Sequence, residues 1–130
     1  MRAWIEHVER LAAEHGVTVR RLAPAEKNVK SYGPVILVRG INTQINYFEA
    51  LHELGHSILV HVGGQKSPDT LCKEAEAWQW AIDNALVTPS ARTRRDIGEC
   101  LREYRDHGEE HGDRYAQPPK GHPYWRMVQW

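Results

Sequence analysis

Between about Thr43 and His61, apolar residues recur so densely on a helical repeat that they nearly encircle it. Ile45, Phe48, Leu51, Leu54, Ile58 and Leu59 leave only Asn46, Glu49, Glu53 and Ser57 as a narrow polar stripe. Such a helix must be central and covered by the rest of the chain, and its polar stripe must face a cleft or a bound partner. Asn42 or Thr43 is placed to cap its start and Gly63-Gly64 to end it. The 130 residues suffice for one modest core and not for two, so a single domain is expected around this helix.

The covering elements can be read on either side. Trp4, Ile5, Val8, Leu11 and Ala12 share one helical face, and Gly16 follows as a stop. Val17-Thr18-Val19 alternates as a strand does. Val35 to Val38 is an apolar, largely β-branched run between Tyr32-Gly33-Pro34 and Gly40, which predicts a small sheet with a hairpin near Gly33. Gln65 to Thr70 reads as loop, broken by Pro68. A second core helix runs from about Leu71 to Leu86 with Ala75, Trp78, Ile82 and Ala85 on related faces. Ser90 can cap a further helix striped by Ile97, Leu101 and Tyr104. The expected architecture is α+β: an N-terminal helix, a short sheet with a hairpin, the central helix and following helices over 1–107. The tail 108–130, rich in Gly, Pro and charge, is expected to be irregular and packed on the domain by its aromatic rings.

Composition removes several function classes. Apolar residues at 41% and charged residues at 26% are ordinary for a folded chain. Seventeen Lys and Arg balance seventeen Asp and Glu, so the field that steers a dedicated nucleic-acid binder is missing and direct nucleic-acid binding is disfavoured. No run approaches the roughly 18 apolar residues of a membrane span, and the first residues are amphipathic and acidic rather than a signal sequence. A cytoplasmic protein without a membrane partner is expected, with Cys72 and Cys100 as free thiols.

The chemistry lies on the central helix. His52-Glu53-Leu54-Gly55-His56 is an H-E-x-x-H motif, and on a helix its histidines lie one turn apart on one face, able to grip one ion together. Two imidazoles and a carboxylate on a helix this apolar are costly to bury unless a cation pairs with them, and Zn²⁺ accepts imidazole nitrogen readily. Gly55 inside the helix marks a close approach by a neighbouring chain segment. A catalytic zinc normally takes three protein ligands, and the next helix offers Glu74 and Glu76 for the third. Zinc would acidify a water and polarise a peptide carbonyl, while Glu53, beside the two histidines, would take the water's proton and return one to the leaving amine.

Phe48-x-x-Leu51-His52-Glu53-Leu54-Gly55-His56, with Leu59 and His61 after it, resembles the first signature of the ImmA/IrrE family of metallopeptidases. Glu74-x-x-Ala77-x-x-Trp80-Ala81 followed by Leu86-Val-Thr-Pro89 resembles the second. Trp78 stands where that family usually has Asn, Trp80 replaces Phe, and the spacing from Ala81 to Pro89 is one residue longer. The resemblance implies a small zincin-like fold, Zn²⁺ on His52, His56 and Glu74, and Glu53 as catalytic base. It also implies a protein or peptide substrate of the repressor or antitoxin kind, as in phage or mobile-element regulation. Glu76 remains the other candidate ligand. The rival reading is a metal-binding regulatory module that holds a protein partner and cuts nothing.

Other residues are weighed against simpler roles. His107 and His111 have i, i+4 spacing, but flanking glycines favour a solvated turn there. Arg92, Arg94 and Arg95 are followed by Asp96, Glu99 and Glu103, which reads as an exposed helix end. Cys72 is expected to be a small core residue rather than a ligand. Tyr32, His122 and Tyr124 are possible donors to a developing oxyanion.

Overall fold

The computed structural model describes residues 2–22, 29–60, 68–110 and 115–130, with the side chains of Tyr32, Glu109 and Glu110 left aside. Its elements are α1 (Arg2–Glu14), β1 (Thr18–Arg21), β2 (Lys30–Tyr32), β3 (Val35–Val38), α2 (Gln44–Ile58), α3 (Thr70–Asn84), α4 (Ala91–Glu110) and α5 (Pro123–Met127). They form one small α+β domain. β3 is the middle of three strands, in the order β1-β3-β2. β1 runs parallel to it with Thr18 opposite Val35, and β2 antiparallel with Tyr32 opposite Val35. The expected hairpin therefore exists, and its two-residue turn places Gly33 at φ 57°, a conformation that glycine adopts without penalty.

α2 is the central element, touching β2, β3, α1, α3 and α4. Phe48, Leu51 and Leu54 are fully buried, and each such burial contributes about 1.5–3 kcal/mol. Tyr47 is equally buried: its ring stacks on Trp4 of α1 at 5.1 Å, while its hydroxyl meets His7 Nδ1 at 2.7 Å and accepts from the Leu86 amide at 3.0 Å. Thr43 caps α2, its hydroxyl accepting from the Asn46 amide. The helix ends at Ile58, short of the expected His61, and Val60 follows at φ 55°. Gly63-Gly64 and His61 lie outside the described residues.

The expected polar stripe of α2 is mostly taken up by neighbours. Asn46 bonds locally to residue 42, Glu49 pairs with Arg39 at 3.2 Å, and the Ser57 hydroxyl donates to the Gly33 carbonyl in the hairpin turn. Only Glu53 of the four turns to the motif's histidines.

Gly55 has the predicted close neighbour. A Cβ there would stand 3.1 Å from the Ala77 carbonyl oxygen and 3.3 Å from the Trp80 ring, so α2 and α3 pack nearly backbone to backbone. α4 starts on the expected cap, with Ser90 Oγ accepting from the Thr93 amide, and Gln44 of α2 binds both Ser90 and Thr93.

Two expectations for the C-terminal part need correction. α4 does not stop before the His107 region but continues through His107 and Gly108 to Glu110; His111 lies outside the described residues. Nor is 108–130 wholly irregular: Pro123–Met127 form α5, capped by His122, whose Nδ1 accepts from the Tyr124 amide. This segment docks through buried Tyr124 and Met127, and Arg102 donates to the carbonyls of Val128 and Trp130. Gly98 of α4 allows the approach, because a Cβ there would lie 2.7 Å from the Trp130 carbonyl oxygen. Backbone contacts of this kind carry no sequence periodicity, so the Gly, Pro and charge of this segment do not report them.

Candidate metal centre

The close packing at Gly55 aligns α3 so that Glu74, one turn before Ala77, reaches the α2 histidines. His56 Nε2 lies 2.8 Å from Glu74 Oε2, and His52 Nε2 lies 3.3 Å from Glu74 Oε1. The imidazoles are one turn apart with centroids 4.5 Å from each other at 72°. Glu53 Oε1 lies 3.4 Å from the other nitrogen of His52, Nδ1. All four sequence-predicted residues thus meet in one place, and none is more than 9% exposed. Glu76 does not join them. It points to another side of α3 and pairs with His122 Nε2 at 3.0 Å.

The electrostatics of this cluster follow from its burial. Burial pushes the His52 pKa down, but the Glu74 and Glu53 carboxylates outweigh it and raise the value to about 9. Burial pushes Glu74 up, yet His52 and His56 hold it well below the usual carboxylate range. Two neighbouring groups also feel the negative charge. Burial, then Glu74 and Glu53, push the Tyr104 phenol far above its usual value. Burial, with Glu103, Glu49 and Glu74 among the charges, pushes the Cys100 thiol up to about 12. Burial is the larger cause in both and the nearby carboxylates the smaller, so the two shifts report an enclosed site with negative charge close by.

The donors fit a zinc ion. A ring nitrogen of His52, a ring nitrogen of His56 and a Glu74 oxygen are ligand atoms within 4.8 Å of one another, and each Nε2 faces a Glu74 oxygen. Tetrahedral zinc with ligands at about 2.0–2.1 Å separates them by roughly 3.3 Å, close to the His52–Glu74 spacing. His52 Nε2 is also a buried nitrogen with no hydrogen-bond partner, since its 3.3 Å approach to Glu74 is an ion-pair distance without hydrogen-bond geometry. A metal ion there would take the place of the proton that the two carboxylates otherwise hold on this ring.

Two features escaped sequence reasoning. Trp78, read as a core residue, lies flat against His52 with centroids 4.0 Å apart and 16° between planes, fixing the ring's tilt. Its position one turn after Glu74 was the available signal. Tyr104, read as part of the α4 core stripe, comes close enough to Glu74 and Glu53 to feel both charges; thirty residues separate it from Glu74, and no local pattern reports that proximity. Of the expected oxyanion donors, the Tyr32 side chain lies outside the described residues, His122 turns to Glu76, and Tyr124 packs in the core under α5. Arg94 donates to the Pro89 carbonyl, in keeping with a helix-end role, and both cysteines are free thiols. Compared with protein-family models, curated proteins and solved structures, the chain finds no match.

Proposed function

We propose that the protein is a zinc-dependent endopeptidase acting on a protein of the repressor or antitoxin kind. The single observation that carries the reading is the convergence of a His52 nitrogen, a His56 nitrogen and a Glu74 carboxylate oxygen within 4.8 Å, with Glu53 beside them. Zinc bound there supplies an acidified water and a polarised carbonyl. His52, His56 and Glu74 hold the ion. Trp78, stacked on His52, keeps that ring from turning its Nε2 away. Glu53 is the general base: its carboxylate accepts the water proton at Oε1 or Oε2 and returns a proton to the leaving amine nitrogen. The zincin-like fold, the cytoplasmic location and the substrate class belong to this proposal; the fold and the substrate class rest on the family resemblance of the two signatures.

Burial favours a second reading. Groups this enclosed also suit a closed, structural metal site in a module that binds a partner without cutting it. Glu53→Gln separates the two, because it keeps the side chain's size and all three ligands. Wild type and variant are assayed on candidate repressor proteins. The peptidase reading expects cleavage to fall about 10²–10⁴-fold in the variant with zinc retained. Equal cleavage by both proteins removes Glu53 from the role. If both bind a partner, neither cuts it, and the biological effect survives in Glu53→Gln, the module reading replaces the enzyme.

A further inference from the structure

A second set of metal-ligating side chains lies on the side of α3 where Glu76 meets the C-terminal segment. Cys72 and Glu76 are one turn apart on α3, and His122 reaches them from the residue that caps α5. A thiol sulfur, a carboxylate oxygen and an imidazole nitrogen lie within 4.8 Å of one another. We infer that Cys72, Glu76 and His122 form a second site for a zinc-class divalent cation, one that ties α3 to the C-terminal segment.

Thiolate, imidazole and carboxylate are the three donor types zinc takes from proteins, and two from one helix turn with one from another element is a common way of supplying them. The site has an entry path, since the Glu76 side chain is 45% exposed while that of His122 is 11% exposed. It differs from the His52 centre in containing sulfur and in joining α3 to a segment that also docks through buried Tyr124 and Met127, the Arg126–Gln79 hydrogen bond and the Arg102 contacts.

The simpler alternative is a plain His122–Glu76 ion pair beside an inert cysteine, and the ring's proton distinguishes the two. His122 Nδ1 accepts from the Tyr124 amide, so Nε2 carries the proton and donates it to Glu76 Oε2. An ion on Nε2 moves that proton to Nδ1 and displaces the Cys72 thiol proton to solvent. The capping hydrogen bond and the His122–Glu76 hydrogen bond are both exchanged for three ligand bonds, and the ligand bonds dominate.

The test is a Co²⁺ titration of the whole protein, read by absorption. Sulfur-to-cobalt charge transfer gives a near-ultraviolet band, and the His52–His56–Glu74 centre has no sulfur to produce one. The expected result is a saturable band, displaced by Zn²⁺ and absent in Cys72→Ser. In Glu76→Gln and His122→Asn, Co²⁺ binding at that band should weaken by at least the about tenfold that even an outer-sphere loss can cause. Asn keeps an N-cap acceptor at 122, so α5 remains capped in that variant. No band at saturating Co²⁺, a band that persists in Cys72→Ser, or unchanged affinity in both Glu76→Gln and His122→Asn overturns the site.

Discussion

His52 takes part in three contacts at once: its Nε2 faces Glu74, its Nδ1 lies 3.4 Å from Glu53, and its face is covered by Trp78. In the metal-free protein the two carboxylates hold a proton on this ring, whose pKa stands at about 9. Because that pKa is raised above the ordinary 6.5, the stabilisation it brings is complete below about pH 6.5 and is lost as pH rises through about 9. Glu74 is shifted the other way, so its contribution is present above about pH 4.5 and is lost as pH falls. Chelated protein should therefore be most stable between about pH 4.5 and 6.5, as far as this pair governs it. Zinc requires the neutral imidazole, so the melting-temperature gap between zinc-loaded and chelated protein should widen from about pH 6 to about pH 8.5. A gap that narrows over that range in thermal melts would mean that His52 is not a ligand. The motif and its face were readable in the sequence because i, i+4 spacing is a local property. The Trp78 stack and the proximity of Tyr104 were not, because they depend on how α3 and α4 pack against α2.

At the scale of elements, two positions show how backbone contacts shape the domain. Val60, just beyond the Leu59 cap of α2, stands at φ 55°, where a β-branched residue is strained and where helices usually place glycine. Val60 is 70% exposed and has little packing to lose. Val60→Gly should stabilise the protein by a few tenths to about 1 kcal/mol, the relief of strain exceeding the added freedom of the unfolded chain. A lower midpoint in urea for the variant would show that Val60 is not held in that conformation. Gly98 is the opposite case. A methyl there meets backbone oxygens of Trp130 at 2.7 Å and Met127 at 2.9 Å, neither of which can move as a side chain can. Gly98→Ala should destabilise by about 1–3 kcal/mol despite alanine's better helix propensity, with faster amide exchange in α5. Unchanged stability and exchange would place the C-terminal segment elsewhere. Most element types and the caps at Thr43 and Ser90 were legible from periodicity and capping residues. The continuation of α4 through Gly108 was not, since tertiary docking overrides the breaking tendency of glycine there, and α5 was not, since its favourable Pro123 start lies in a segment dominated by Gly, Pro and charge.

For the molecule as a whole, α2 is at once the centre of the core and the carrier of the His52–Glu53–His56 motif, so the proposed metal binding would be coupled to folding through one helix. Phe48, Leu51 and Leu54 bury its apolar faces, and Gly55 brings α3 close enough for Glu74 to complete the cluster. Removing zinc from this centre would leave two imidazoles and two carboxylates enclosed, with the proton that His52 takes up replacing only part of the ion's charge. Chelation should lower the melting temperature by several degrees, since about 1 kcal/mol moves a domain of this size by roughly 3–6 °C; an unchanged melt after verified zinc removal would falsify this coupling. The cluster's membership was partly legible: the sequence left Glu74 and Glu76 both open, and only the packing of α3 sends Glu74 to the histidines and Glu76 to His122. The most direct test of the central claim is zinc content by elemental analysis, made in a Cys72→Ser background so that only the His52 centre is counted. The account predicts about one zinc per chain, retained in Glu53→Gln and Glu76→Gln and lost in His52→Ala and in His56→Ala. Full zinc in both histidine variants, or no zinc in the parent, would contradict it.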